Sequence, residues 1–274
     1  MFKVFEYISS AIPLAKDNIN FIKLKNTMRE LISKTLEILR FEESPVENDF
    51  IKLLRLEIVK WACTLELPKC LEKAKSNLIE HLEDPEKKIL PEWKDWTYCK
   101  GFKGLTTKGL LGKDVITWPH LTSDGRINLW PYTDGRYVEY IPCFEDQLAV
   151  NKIFDILNYK KSKLGRQYIK DEDIYDCINI FNSFIAKHAR KKNKLEDILL
   201  NFHAIIPPEI STAAGLINII NHIYNTTELN MLSFSLKNEI TSIYLGQITT
   251  KVFSKIETRI SEIKRHIEHL DMFL

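Results

Sequence analysis

Apolar side chains recur every three or four residues along most of this chain, and that spacing constrains the fold more than any other feature. The clearest stripe is the last one, Phe253, Ile256, Ile260, Ile263, Ile267 and Leu270. Such spacing puts the apolar residues on one face of a 3.6-residue helix, and that face must be buried. Leu24, Met28, Leu31, Thr35 and Ile38 form an earlier stripe, in a helix ending near Phe41. Phe50, Leu54, Ile58, Trp61 and Leu65 form the next, followed by Leu71, Ala74, Leu78 and Leu82. Trp93, Trp96 and Cys99 mark a short aromatic helix. In the second half, Leu148, Ile153 and Leu157 mark one helix, and Ile174, Ile178, Phe181 and Ile185 the next. Leu195, Ile198, Leu199 and Phe202 precede Ile210, Ala213, Ile217 and Ile220. Leu229, Leu232, Leu236, Ile240 and Ile243 line the penultimate helix.

The breaks between stripes carry helix start and stop signals. Ser44-Pro45-Val46-Glu47 has the residue order of a capping box, serine as cap and glutamate three residues on. Pro68 and Pro91 can open helices, Asp84-Pro85 starts a turn, Asp171 precedes a helix and Pro207-Pro208 separates two. Thr226 or Thr227 can cap the penultimate helix, and Gly246 ends it. Glycine costs a helix about 1 kcal/mol relative to alanine, and the chain has only nine, six of them between Gly101 and Gly135. That stretch also holds Asp124-Gly125 and Asp134-Gly135, which are turn signals. It reads either as a hairpin with Tyr137–Ile141 as one strand or as a long irregular insertion at about 102–141. Short connectors make successive amphipathic helices antiparallel neighbours. About ten of them in series predict an all-α, α-α superhelix of stacked antiparallel helix pairs, HEAT- or ARM-like, as one domain over 1–274 with that single insertion.

Composition narrows the function classes. An apolar fraction of 45% is enough for a core. With 39 basic and 37 acidic residues the net charge is +2, which argues against a broad nucleic-acid footprint. No run reaches the ~18 apolar residues of a membrane span. The first twenty residues lack the apolar h-region of a signal peptide, and the charged end is wrong for a lipid anchor. Cys63, Cys70, Cys99, Cys143 and Cys177 form no CxxC pair, which disfavours a zinc ribbon. On composition alone they read as buried thiols.

Several segments together resemble a known family. They are Leu53-Leu54-Arg55-Leu56-Glu57-Ile58-Val59-Lys60-Trp61-Ala62-Cys63 with Cys70, Leu90-Pro91-Glu92-Trp93, and Thr97-Tyr98-Cys99-Lys100-Gly101. Pro13–Asn18, Pro142-Cys143-Phe144-Glu145-Asp146, His188-Ala189-Arg190 and Leu195–Phe202 extend the match over nearly the whole chain outside 102–141. In order and spacing they resemble the C-terminal helical domain of zinc aminopeptidases of the aminopeptidase N type, a group that includes endoplasmic-reticulum and insect gut enzymes. The resemblance implies an α-α superhelix forming a bowl over an active site carried elsewhere. It also implies two disulfides, Cys63–Cys70 and Cys99–Cys143, with no counterpart for Cys177.

The family's chemistry requires HExxH, whose two histidines hold zinc and whose glutamate activates a water. None of the seven histidines is followed by glutamate, and the Gly-x-Met-Glu-Asn substrate-amine motif is absent. The expectation is a noncatalytic module of a zinc aminopeptidase lineage, either part of a longer enzyme or a catalytically dead relative. It would hold no cofactor itself, zinc belonging to a separate catalytic domain. Its partners would be a peptide or protein on the concave face and an upstream metallopeptidase domain, with no nucleic acid and no membrane span. The alternative is a stand-alone helical scaffold that binds a peptide or protein. The family implies an extracellular or membrane-associated place, and the chain's own features leave a cytoplasmic one open.

Other features have two readings each. His266 and His269 are a surface metal site or, as preferred, a solvated polar face. Lys187, Arg190, Lys191, Lys192 and Lys194 meet an acidic partner or, as preferred, complement a helix C-terminus. Trp93, Trp96, Trp118 and Trp130 with Tyr132, Tyr137 and Tyr140 either recognise a ligand or seal loops onto a core. Asn225-Thr226-Thr227 is an N-glycosylation sequon, with Asn225 as candidate acceptor, and has meaning only in the secretory route.

Overall fold

The computed structural model describes residues 3, 5–6, 19–84, 86–103, 120–121, 127–128, 138–145, 147, 150–151, 153–155, 157–158, 171–239 and 246–271. Among these the class is all-α, with one two-residue antiparallel ladder. The chain separates into two compact units. One is continuous, Asn18–Asn151. The other joins Met1–Asp17 to Lys152–Leu274.

The continuous unit contains α1 (Ile19–Leu39), α2 (Asp49–Thr64), α3 (Pro68–Glu83) and α4 (Pro91–Lys103). Helix α1 buries Phe21, Met28, Ile32 and Leu36. The stripe expected from sequence is therefore rotated: Leu31 is 49% exposed and Ile38 81%. The helix is apolar over much of its circumference, and its packing against α2 selects the face. Ser44 and Glu47 form half of the expected capping box, the Ser44 N–H donating to the Glu47 carboxylate at 3.3 Å. The cap itself is Asn48, whose Oδ1 accepts from the Ile51 N–H at 3.0 Å. Glu47 is committed instead to Arg55, a bidentate pair at 2.6 Å with the Arg55 side chain 1% exposed. The start is thereby moved to Asp49, and Phe50 is left 71% exposed rather than on the inner stripe with Ile58, Trp61 and Leu65.

Helix α2 stops in a Schellman turn. The Leu67 N–H reaches the Ala62 carbonyl at 2.9 Å, and the Glu66 N–H reaches Cys63 at 3.2 Å. The turn needs a left-handed residue, usually glycine, yet Glu66 sits there at φ 60°. A non-glycine residue in that region costs roughly 1–2 kcal/mol. Its carboxylate is bonded to the Lys103 ammonium of α4, which offsets part of that strain. Pro68 then opens α3 as expected. Cys63 and Cys70 bridge across this turn, and Cys99 and Cys143 join α4 to the segment after it.

Helices α3 and α4 pack extensively on each other. Gly101 permits it, since a Cβ there would lie 2.7 Å from Leu78 Cδ2 and 3.0 Å from the Ala74 carbonyl oxygen. Within the insertion, β1 (His120–Leu121) pairs antiparallel with β2 (Ile127–Asn128). Of the two readings of this stretch, the one with a strand up to Ile141 does not hold over the described residues, because Val138–Cys143 is a 3-10 helix packed on α4. The Cys99–Cys143 bond holds its end, and Tyr140 stacks on Tyr98 with ring centroids 5.1 Å apart. These contacts override the strand preference of a Val/Tyr/Ile run. Most of the insertion, Pro13–Asn18, Leu148, Trp118, Trp130, Tyr132, Tyr137, Ile240 and Ile243 lie outside the described residues.

The second unit contains α5 (Asp171–His188), α6 (Lys192–Leu200), α7 (Phe202–Ile205), α8 (Thr212–Asn221), α9 (Thr226–Glu239) and α10 (Gly246–Asp271). Its core gathers Phe181, Phe184 and Ile185 of α5, Leu216, Ile219 and Ile220 of α8, and Val252, Ile256 and Ile263 of α10. Helix α8 packs on both α5 and α10. Ser211, whose Oγ accepts from the Ala214 N–H at 3.2 Å, caps α8, and Ile210 stays outside it. The sequence stripe predicted Ala213 and Ile217 inward, but the fully buried positions are Gly215, Leu216, Ile219 and Ile220. Asn225 rather than a threonine caps α9, its Oδ1 accepting from the Thr227 N–H at 2.8 Å. Gly246 begins α10 rather than ending α9. No helix among the described residues is long and apolar enough to cross a membrane.

Candidate functional site

Three segments of the continuous unit line an open cleft of about 340 Å³. Phe41, Glu42 and Glu43 come from the chain just after α1 stops at the left-handed Arg40, whose φ is 58°. Lys73, Asn77, Glu80 and His81 come from α3, spaced at three and four residues and so on one face. Lys87, Lys88, Ile89 and Leu90 come from the α3–α4 connection, and Trp93 from the first turn of α4. That connection is held by the turn expected at Asp84, which accepts from the Lys87 N–H at 3.0 Å.

The lining of the cleft is part aromatic and part charged. Trp93 packs on Trp96 with ring centroids 5.3 Å apart, and Phe41 lies 6.4 Å from Trp96. Of the charged residues, Lys73 pairs with Glu42 at 3.0 Å and Lys87 with Glu80 at 3.6 Å. The hydrogen bond from Lys73 holds the Glu42 carboxyl below its ordinary range, against a smaller opposing effect of burial. His81 Nδ1 lies 2.7 Å from the Lys87 carbonyl oxygen. A carbonyl only accepts, so Nδ1 carries a proton there. Glu43 and Lys88 are exposed and make no ion pair among the described residues. Among the described residues, one carboxylate and one ammonium of this lining, which also includes Phe41 and Trp93, thus make no ion pair. Such a surface can take a ligand that has both charges and an apolar side chain.

The residues singled out in the sequence fall elsewhere, apart from Trp93. Cys63–Cys70 and Cys99–Cys143 are bonded, with Cα atoms 5.4 and 5.0 Å apart. Cys177 is buried in α5 outside both bonds. His266 and His269 are exposed on α10, and among the described residues no three His, Cys, Asp or Glu side chains converge as a metal site requires. The basic cluster is split: Arg190 is exposed with its Nε donating to the Lys187 carbonyl at 3.2 Å, whereas Lys194 is only 6% exposed. Of the aromatic group, Trp93 and Trp96 are buried and Tyr140 is half-buried. Asn225 is exposed.

Sequence reasoning missed Glu43, Lys73, His81 and Lys88. The only sequence trace of the cleft is that Asp84-Pro85 and Pro91 bracket a short charged connection beside Trp93. No protein-family model matches the chain, and no curated protein matches it.

Proposed function

We propose that this chain is a noncatalytic helical module of a zinc aminopeptidase lineage, whose cleft at Glu43, Lys88 and Trp93 binds peptide. The observation that carries the reading is the cysteine pairing. Four cysteines can pair in three ways, and the bonded set, Cys63–Cys70 with Cys99–Cys143, is the one that the resemblance implies. Successive helices that pack on their chain neighbours are consistent with the stacked helix pairs of such a module. In the lineage reading, zinc and the water it activates belong to a separate catalytic domain.

A second reading, a stand-alone peptide-binding scaffold, draws on the cleft alone. In it the ammonium of Lys88 meets a peptide carboxylate, Glu43 meets an amine, and Trp93 meets an apolar side chain. The coding sequence upstream of Met1 separates the two: an in-frame HExxH supports the enzyme module, and a stop codon supports the scaffold. Binding is tested with a set of short peptides followed by tryptophan fluorescence. Saturable binding that Trp93→Ala and Lys88→Glu both weaken is expected. Stoichiometric zinc with aminopeptidase turnover by the purified chain would refute both readings.

A further inference from the structure

The geometry points to Asn225 as the acceptor of an N-linked glycan in the mature protein. This does not rest on the aminopeptidase reading. Asn225-Thr226-Thr227 is the only Asn-x-Ser/Thr triplet in the 274 residues. A triplet alone carries little, and three structural observations add to it. Two disulfides mark a chain that matures in an oxidising compartment, where glycosylation also occurs. Asn225 is exposed, in the non-helical connection between α8 and α9.

The third observation concerns the side chain itself. The carboxamide oxygen caps α9, accepting from the Thr227 N–H at 2.8 Å, while the Asn225 carbonyl accepts from the Leu229 N–H at 3.2 Å. The cap therefore uses Oδ1, and among the described residues Nδ2, the atom a sugar is joined to, makes no hydrogen bond. In the transfer, Nδ2 attacks the anomeric carbon of a polyisoprenyl-diphosphate oligosaccharide. The carbon–oxygen bond to the diphosphate breaks, and a nitrogen–carbon bond forms. The amide loses one proton, polyisoprenyl diphosphate leaves, and nothing is oxidised or reduced. The primary amide becomes a secondary amide with its carbonyl oxygen intact. Modification and capping are compatible, and the folded helix start persists with the glycan in place.

The test uses full-length protein from the cells that make it, digested with trypsin without reduction. No Lys or Arg lies between Leu195 and Lys237, so one peptide reports the site. The expected result is that this peptide is missing at its sequence mass and appears after a glycan-cleaving amidase, with aspartate at position 225. Recovery of the peptide mainly with unmodified Asn225 overturns the assignment. The same digest shows which premise failed, bonded cysteines pointing to the site and free thiols to the compartment. Variants made in a secreting host separate the sequon from folding. Asn225→Asp and Thr227→Ala both keep an acceptor oxygen and a backbone donor for the cap, and both are expected to lose the mass shift. Thr226→Ala is expected to keep it. A Thr227→Ala protein that stays shifted places the sugar elsewhere and refutes the proposal.

Discussion

Replacing Gly101 by alanine tests the packing that holds the cleft's unit together. In an open helical position this change stabilises by about 1 kcal/mol, because alanine is the better helix former. At Gly101 the added methyl would stand 2.7 Å from Leu78 Cδ2, 3.0 Å from Leu78 Cβ and 3.0 Å from the Ala74 carbonyl oxygen. The Cδ2 methyl can swing aside, but Cβ and the carbonyl belong to the rigid frame of α3. Overpacking of that kind costs roughly 1–3 kcal/mol, so the steric effect wins and a net loss of about 1–2 kcal/mol is expected. Gly215 is the matched control. Its new methyl would meet Ile206 Cδ1 at 2.7 Å and the Phe202 ring at 3.0 and 3.1 Å, all movable ends of side chains, and the two effects nearly cancel. All five tryptophans lie between residues 61 and 130, within the unit that holds Gly101. Tryptophan fluorescence during urea unfolding therefore reports that unit alone, and the expected loss lowers its midpoint by roughly 0.5–1 M. Far-UV circular dichroism follows Gly215→Ala. A Gly101→Ala protein as stable as the parent, or less perturbed than Gly215→Ala, would show that α3 and α4 do not approach in this way.

The disulfides differ in the loops they close, with sequence separations of 44 and 7. Loop-closure entropy predicts losses of about 4 kcal/mol for Cys99→Ala/Cys143→Ala and about 2 kcal/mol for Cys63→Ala/Cys70→Ala, measured by the same unfolding assay; the reverse order would contradict the model. Burial acts to raise the Glu66 carboxyl, but the Lys103 hydrogen bond and the charges of Lys103, Lys100 and Lys25 outweigh it and hold it below its ordinary value. A lowered acid contributes stability that is present above the unfolded-state value and lost as pH falls through the folded one. Glu66→Gln, which keeps the backbone strain and removes the charge, should flatten the decline in urea midpoint below roughly pH 5. Ser211→Ala removes the cap of α8 and should cost about 1 kcal/mol, visible in circular dichroism of the unit without tryptophan.

What could be read in the sequence was whatever short-range chemistry decides. Helix identity followed from the periodicity, and starts at Pro68 and Pro91 followed from a residue that lacks an N–H and tolerates only a first turn. The facing of α1 could not be read, because Leu31 and Ile32 are equally apolar neighbours and only contact with α2 decides between them. The start of α2 was misplaced for a related reason. Glu47 fits a capping box, but a buried guanidinium eight residues on claims its carboxylate. Val138–Cys143 has strand-forming residues yet is bent into a 3-10 helix by a bond to α4. The cleft depends on three segments meeting, and no local pattern announces that Glu43, Lys73 and Lys88 line one cleft.

The division of the chain bears on the order in which it can fold during synthesis. Residues 18–151 are contiguous, so that unit is complete once they leave the ribosome. The other unit is split, and Phe5 in its first part must wait for residues beyond Lys152 before it has its remaining partners. Phe5, buried in the finished structure, is made before the continuous unit and covered only after it. A chaperone that binds apolar segments would meet it there in the interval.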